Sequence, residues 1–289
     1  MPTKIFSRLP DVRGLPPASQ ANTVRVNLPT IGRLLNIKGS VLQLSAAATL
    51  AVMKTAIGEV RLILNSEVVR KWRFSEYLAV LESNGYIVSD GEFPIFLAEP
   101  WRASVEDEEL LSLQMGGRYA QVAVEFELTQ PADALEFDFA YEFDMRAKVD
   151  TSGKAIYGIL GHTVQVENPG AGEPVIPLNK FTGALQRLWL VIPSTADITR
   201  VKINQGINTL FDRFNTAARP EIARSLKDMG MAIPANTTNA NGTFKVVPVV
   251  LDNNQRIINS IDDTSNLNLE LSLTEAVQVR ILIEHQLLR

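Results

Sequence analysis

Hydrophobic and polar positions alternate with a period of two in four stretches of this chain. Leu135, Phe137, Phe139, Tyr141 and Phe143 are interleaved with Glu136, Asp138, Ala140, Glu142 and Asp144. Successive side chains of an extended strand point to opposite faces, so this run predicts a strand with one face in a core and the other mostly in water. The same period recurs at Val122, Val124, Phe126 and Leu128, at Leu267, Leu269, Leu271 and Leu273, and at Val277, Val279, Ile281 and Ile283. One wet face per sheet implies antiparallel pairing, because strands of parallel sheets are covered on both faces and read as unbroken apolar runs. Short helices are punctuated between the strands. Ser75 is placed to cap a helix from Glu76 to Ser83 with Tyr77, Leu78 and Leu81 on one face, and Gly85 follows its end. Pro220 suits the first turn of another, carrying Ile222, Leu226 and Met229 and stopped by Gly230.

The two halves of the chain present these blocks in the same order, the signature of an internal repeat. Thr23-Val24-Arg25-Val26-Asn27-Leu28-Pro29 faces Thr163-Val164-Gln165-Val166-Glu167-Asn168-Pro169, and Val60-Arg61-Leu62 faces Val201-Lys202-Ile203. Trp72 and Phe74 face Phe211 and Phe214; Gly91 and Phe93 face Gly242 and Phe244; the strand pairs at 122–128 and 135–143 face those at 267–273 and 277–285. The offset drifts between about 140 and 151, as insertions in loops would make it. Each copy then holds about eight short strands and one or two helices, the count of a jelly roll with two four-stranded sheets face to face. The fold class expected is all-β: two tandem jelly-roll β-sandwiches, a double jelly roll, with short inserted helices. The division expected is an N-terminal arm over 1–18, a first jelly roll over 19–145, a linker over 146–161 and a second jelly roll over 162–289.

Composition agrees with two packed cores and removes several chemistries. The 289 residues are 46% hydrophobic and 21% charged, a globular balance, and the net charge of −4 provides no general basic field for nucleic acid. With no cysteine there is no disulfide, thiol nucleophile or cysteine-held zinc. The most apolar early stretch, Ala46 to Met53, is far short of a membrane span, and Met1 to Pro10 has no apolar signal region.

Candidate chemistry is sparse. The chain has two histidines, His162 and His285, far apart in sequence, which does not suit a metal centre built from several converging histidines. No Ser-His-Asp or Cys-His constellation, P-loop or dinucleotide fingerprint is present, Gly170-Ala171-Gly172 being a loop. Glu106, Asp107 and Glu108 are the candidates for a cation site; the alternative is the acidic first turn of a helix capped by Ser104 and running into Leu110, Leu111 and Leu113. Glu136, Asp138, Glu142 and Asp144 are expected on a wet strand face. Lys4, Arg8 and Arg13 lie in the Pro-rich segment and are the candidates for contact with a membrane, a genome or a neighbouring subunit.

The order of motifs resembles the double-jelly-roll major capsid proteins of tailless, icosahedral, membrane-containing phages, of the corticovirus type and related small phages. The stretches that carry it are the Pro-rich arm, Thr23 to Pro29, Ile57-Gly58-Glu59-Val60-Arg61-Leu62-Ile63-Leu64-Asn65, Phe74-Ser75-Glu76-Tyr77-Leu78, Phe96-Leu97-Ala98-Glu99-Pro100-Trp101, and Met115-Gly116-Gly117. The resemblance is best over residues 8 to 145. It implies a structural, non-enzymatic protein without a cofactor that forms homotrimers. Their six sandwiches make a pseudo-hexagonal capsomer, and capsomers tile a virion shell around an internal membrane. It further implies neighbouring capsomers, penton and minor capsid proteins as partners, no sequence-specific nucleic acid, and synthesis in the host cytoplasm. Two rivals stay open: a carbohydrate-binding or glycan-hydrolysing β-sandwich using Trp72, Trp101 or Trp189 as platforms, and a viral spike or vertex protein.

Overall fold

The computed structural model describes residues 4–8, 22–30, 32–84, 86–99, 112–114, 119–129, 135–144, 159–214, 244–250 and 265–287. The chain divides into two compact units. The first is Met1–Ser75, Val88–Pro100 and Glu108–Ile159, and the second is Glu76–Ile87, Trp101–Asp107 and Leu160–Arg289.

The elements of the first stretch are β1 (Lys4–Arg8), β2 (Asn22–Leu28), β3 (Arg33–Gln43), β4 (Ala46–Ala47), α1 (Leu50–Ala56), β5 (Ile57–Leu64), β6 (Glu67–Arg73), α2 (Phe74–Ser83), β7 (Glu92–Phe96), β8 (Leu113–Gln114), β9 (Val122–Leu128) and β10 (Leu135–Asp144). One sheet runs β1-β10-β3, with β7 and the short β4 and β8 also pairing β3; the other runs β2-β9-β5-β6. The second unit holds β11 (Ile159–Glu167), β12 (Val175–Pro177), β13 (Ala184–Pro193), β14 (Ile198–Gln205), β15 (Asn208–Phe214), β16 (Phe244–Val250), β17 (Leu267–Leu273) and β18 (Val279–Leu287). Its sheets run β11-β18-β13-β16 and β12-β17-β14-β15. With the two-residue strands set aside, both units follow one winding: first, eighth, third and sixth strand in one sheet, second, seventh, fourth and fifth in the other. That is jelly-roll order, and every pairing in the described strands is antiparallel.

The alternating runs form the inner faces. Leu135, Phe137, Phe139, Tyr141 and Phe143 are buried, as are Leu267, Leu269, Leu271 and Leu273. The two cores differ in substance. In the first, Phe93, Phe126, Phe137 and Phe139 form a ring cluster, with Phe126 4.9 Å from Phe137 and 5.5 Å from Phe93. In the second, the cluster is aliphatic, built from Leu188, Leu190, Ile198, Ile203, Leu269, Leu271, Ile281, Ile283 and their neighbours.

The duplication is also written in the irregularities of the ladders. β3 and β10 shift register between Glu142 and Phe143, where Glu142 pairs Asn36 and Phe143 pairs Leu34. In β13 and β18, Glu284 pairs Arg187 and His285 pairs Leu185, the same skip of one residue at the same place. β5–β6 shifts after Leu62, which pairs Arg70, and β14–β15 after Ile203, which pairs Phe211. Both hairpins close on two-residue turns, Asn65-Ser66 with φ of 49° and 72°, and Gly206-Ile207 with Gly206 at 57°. A bulge disturbs a ladder at a cost and is retained where the bend it produces is needed, so its recurrence is a stronger sign of common descent than alternation.

Four expectations need correction. The segment 1–18 does not stand wholly apart as an arm: β1 pairs β10 along its length, from Lys4 opposite Asp144 to Arg8 opposite Ala140, and is the first strand of the first sandwich. As a result, β11, which contains Thr163 to Glu167, has β1 as its counterpart; the match to Thr23–Pro29 was one strand out, because β2 is the second strand of its unit. Glu142 is buried rather than wet, accepting a hydrogen bond from Asn36 Nδ2 at 3.2 Å beside the bulge. And α2 begins at Phe74, not after a Ser75 cap, because Phe74 is fully buried with its ring 4.8 Å from Phe93. The expected helix near Pro220 lies outside the described residues, as does the one after Ser104 except for Leu113, which is in β8.

Candidate functional site

Each unit exposes the outer face of its second sheet, and both faces are laced with ion pairs. In the first unit a row crosses all four strands. Arg25 on β2 meets Glu125 on β9 at 2.9 Å, Arg61 on β5 meets Glu127 and Glu59 at 2.5 Å each, and Lys71 on β6 meets Glu59 at 2.8 Å. Burial pushes the Glu59 carboxyl up, but hydrogen bonds from Lys71 and Arg61 outweigh it and hold Glu59 below its ordinary value. In the second unit Lys202 on β14 pairs Glu270 on β17, and Arg200 grips Asp212 on β15 through two bonds of 2.7 and 2.5 Å. The registers make Arg61 equivalent to Lys202 and Glu125 to Glu270. They also make Glu59 equivalent to Arg200 and Lys71 to Asp212, so that ion pair is reversed in sign between the copies.

The outer face of β11-β18-β13-β16 is different, carrying an apolar patch that α2 covers. Ala79 and Val80 of α2 pack on Trp189, Val191, Val246 and Leu282. Glu76, 3% exposed, receives the Arg280 guanidinium through Nε at 2.7 Å and Nη2 at 3.3 Å. The helix lies between β6 and β7 in sequence, yet from Glu76 on it belongs to the second unit.

Next to this patch, on the same face, is a buried polar cluster around Glu284. β11 and β18 are neighbours, which brings the two histidines together despite their separation in sequence. His162 Nε2 lies 3.0 Å from Glu284 Oε1, and Arg187 Nη1 lies 3.5 Å from Glu284 Oε2. His285, on the opposite face of β18, has Nδ1 2.7 Å from the Thr182 carbonyl and Nε2 3.0 Å from Thr163 Oγ1. Burial lowers its pKa to about 4. No group of three or more His, Cys, Asp or Glu able to hold a metal occurs among the described residues.

Of the residues singled out in the sequence, Lys4 and Arg8 fall in β1, and Arg13, Glu106, Asp107 and Glu108 lie outside the described residues. Trp72 and Trp189 are buried at 4% and 2% exposure, so neither is a platform for a sugar ring; Trp101 is outside the described residues. The Glu76–Arg280 pair and the Glu284 cluster had no sequence signal, since each joins residues whose proximity only the winding creates. No helix among the described residues is long and apolar enough to cross a membrane.

Neither a family model nor a curated protein matches the chain. Solved structures do. The major capsid protein of bacteriophage PM2 superposes with a TM-score of 0.68 at 14% identity, covering 99% of each chain. It has the double jelly-roll fold. The major capsid protein of Sulfolobus turreted icosahedral virus gives 0.62 at 10% identity over 98% of this chain and 97% of that one. A capsid chain of PBCV-1 gives 0.59 at 12% identity over 99% and 94%. The double jelly-roll likeness thus extends over nearly the whole of this chain.

Proposed function

We propose that this protein is the structural major capsid protein of an icosahedral virus, a non-enzymatic subunit that works by assembling with copies of itself. The observation that carries this reading is a complete jelly roll built twice in one chain, with bulges at matching places, coextensive with a phage major capsid protein. Three such chains present six similar sandwiches, so a closed trimer approximates a hexagon and tiles a curved sheet, while three-fold symmetry keeps its true interfaces equivalent. On this reading the trimers meet neighbouring capsomers, penton and minor capsid proteins in a virion shell around an internal membrane. The chain is made in the host cytoplasm and uses no cofactor or sequence-specific nucleic-acid contact. Lys4, Arg8 and Arg13, near the start of the chain, are the candidates for contact with that membrane, the genome or an adjacent subunit; the reading requires no metal, and Glu106, Asp107 and Glu108 stand as the candidates for a cation against the acidic first turn of a capped helix.

The test is solution mass with negative-stain imaging of the purified protein. A particle of three times the 31.9 kDa chain mass with a hexagonal outline is expected. A monomer that forms no trimer or hexagonal particle at any concentration overturns the reading.

A further inference from the structure

The recurring bulge is filled differently in the two copies. Where β3 pairs β10 the skipped residue is Leu35, since Leu34 lies opposite Phe143 and Asn36 opposite Glu142. Where β13 pairs β18 it is Gln186, between Leu185 opposite His285 and Arg187 opposite Glu284. Both are 1% exposed. A leucine suits that burial, having no polar atom in its side chain. A glutamine does not: its amide carries two N–H donors and a carbonyl acceptor, and taking them out of water without replacement bonds is destabilising.

Among the described residues nothing bonds that amide, for Gln186 Oε1 and Nε2 are both buried without a hydrogen-bond partner. The glutamate across the ladder shares the condition. Glu284 Oε2 lies 3.5 Å from Arg187 Nη1 and accepts no hydrogen bond. In the first copy the equivalent carboxylate is better provided for: Glu142 Oε2 accepts from Asn36 Nδ2 at 3.2 Å, with Asn36 Oδ1 left over.

The chemistry of these atoms selects what completes them. Gln186 presents both donors and an acceptor, and Glu284 Oε2 asks for a donor. A cation would face the Arg187 guanidinium and an anion the Glu284 carboxylate, and those two groups, 1% and 8% exposed, already balance each other. The occupant is therefore neutral, able both to donate and to accept, and small enough for a place this enclosed. Water has those properties, and polar interior sites hold it where apolar ones stay dry.

We propose that the bulge between β13 and β18 is a water site, in which ordered water supplies the hydrogen bonds that the Gln186 amide and Glu284 Oε2 lack. The assignment is independent of the capsid reading. It gives the second bulge a bonding role of its own: water takes over at the skipped residue, where the pairing of the ladder lapses.

Two measurements on the full-length protein test this. A high-resolution crystal structure should place a water oxygen within about 3.2 Å of Gln186 Oε1 or Nε2, and one at a similar distance from Glu284 Oε2. Either group found dry, or the Gln186 amide found bonded only to protein, overturns the proposal. Q186L, which installs the residue of the first copy, separates a hydrated amide from a bare one. Deleting a bare buried amide relieves its desolvation penalty and raises the melting temperature, whereas deleting a hydrated one gives up bonds already made. A melting temperature equal to or below that of the unmodified protein is expected, and a rise of a few degrees overturns the proposal. The crystallographic readout needs no variant to fold.

Discussion

At the residue scale, the inner faces were legible and the exceptions on them were not. A period of two assigns every second position to the core, which is correct for Phe137 and Phe139, but it makes no allowance for a bulge, so Glu142 was placed in water. Gly39 is another such case. Within a strand a glycine reads as a weakness, yet here a Cβ would meet Phe139 Cε1 at 2.7 Å and the Phe93 carbonyl oxygen at 2.9 Å, so the absent side chain makes room for the aromatic cluster. G39A is therefore expected to destabilise the protein by about 1–3 kcal/mol in denaturant unfolding although it adds one methyl group. F126A, which empties the middle of the same cluster, should cost about 3–5 kcal/mol. If G39A proves neutral, the backbone there yields and the close contact is not a constraint.

At the scale of elements, strand existence was legible and partnership was only partly so. The blocks at 60–62, 122–128 and 135–143 fell on strands equivalent to those of their partners, as did Phe93 and Phe244, because each carried its own period or turn; of the aromatic pair only Trp72 lies on the equivalent strand, Phe74 opening α2. The match of Thr23–Pro29 to Thr163–Pro169 failed because β1 is short, proline-flanked and without alternation, which left β2 to be taken for the opening strand. Removing Met1–Arg8 separates the two descriptions. A free arm would leave stability unchanged, whereas loss of β1 exposes the β10 edge and is expected to lower the melting temperature and give concentration-dependent association in light scattering. The docking of α2 was out of reach of sequence, since Glu76 and Arg280 find each other across most of the chain. E76Q leaves the Arg280 guanidinium without its carboxylate and should cost about 3 kcal/mol in thermal unfolding. E76L with R280M, which removes both charges, should recover most of that loss.

At the scale of the whole molecule, duplication was read correctly from block order, and the structure adds what the copies do not share: an aromatic core against an aliphatic one, a histidine pair in one alone, and an ion pair of opposite sense. That last difference makes a prediction of its own. E59R alone sets an arginine between Arg61 and Lys71 and should lower the melting temperature. Adding K71D, which installs the arrangement of the second copy, should return the protein to within about 1 kcal/mol of the original. The reversal also speaks to ancestry. No single codon change carries Glu59–Lys71 into Arg200–Asp212; every one-step route passes through two like charges or a charge without its mate. The lineages of the two halves therefore parted far enough back for paired, mutually compensating substitutions to accumulate, and the bulges outlasted them because a ladder cannot lose its extra residue by changing a side chain.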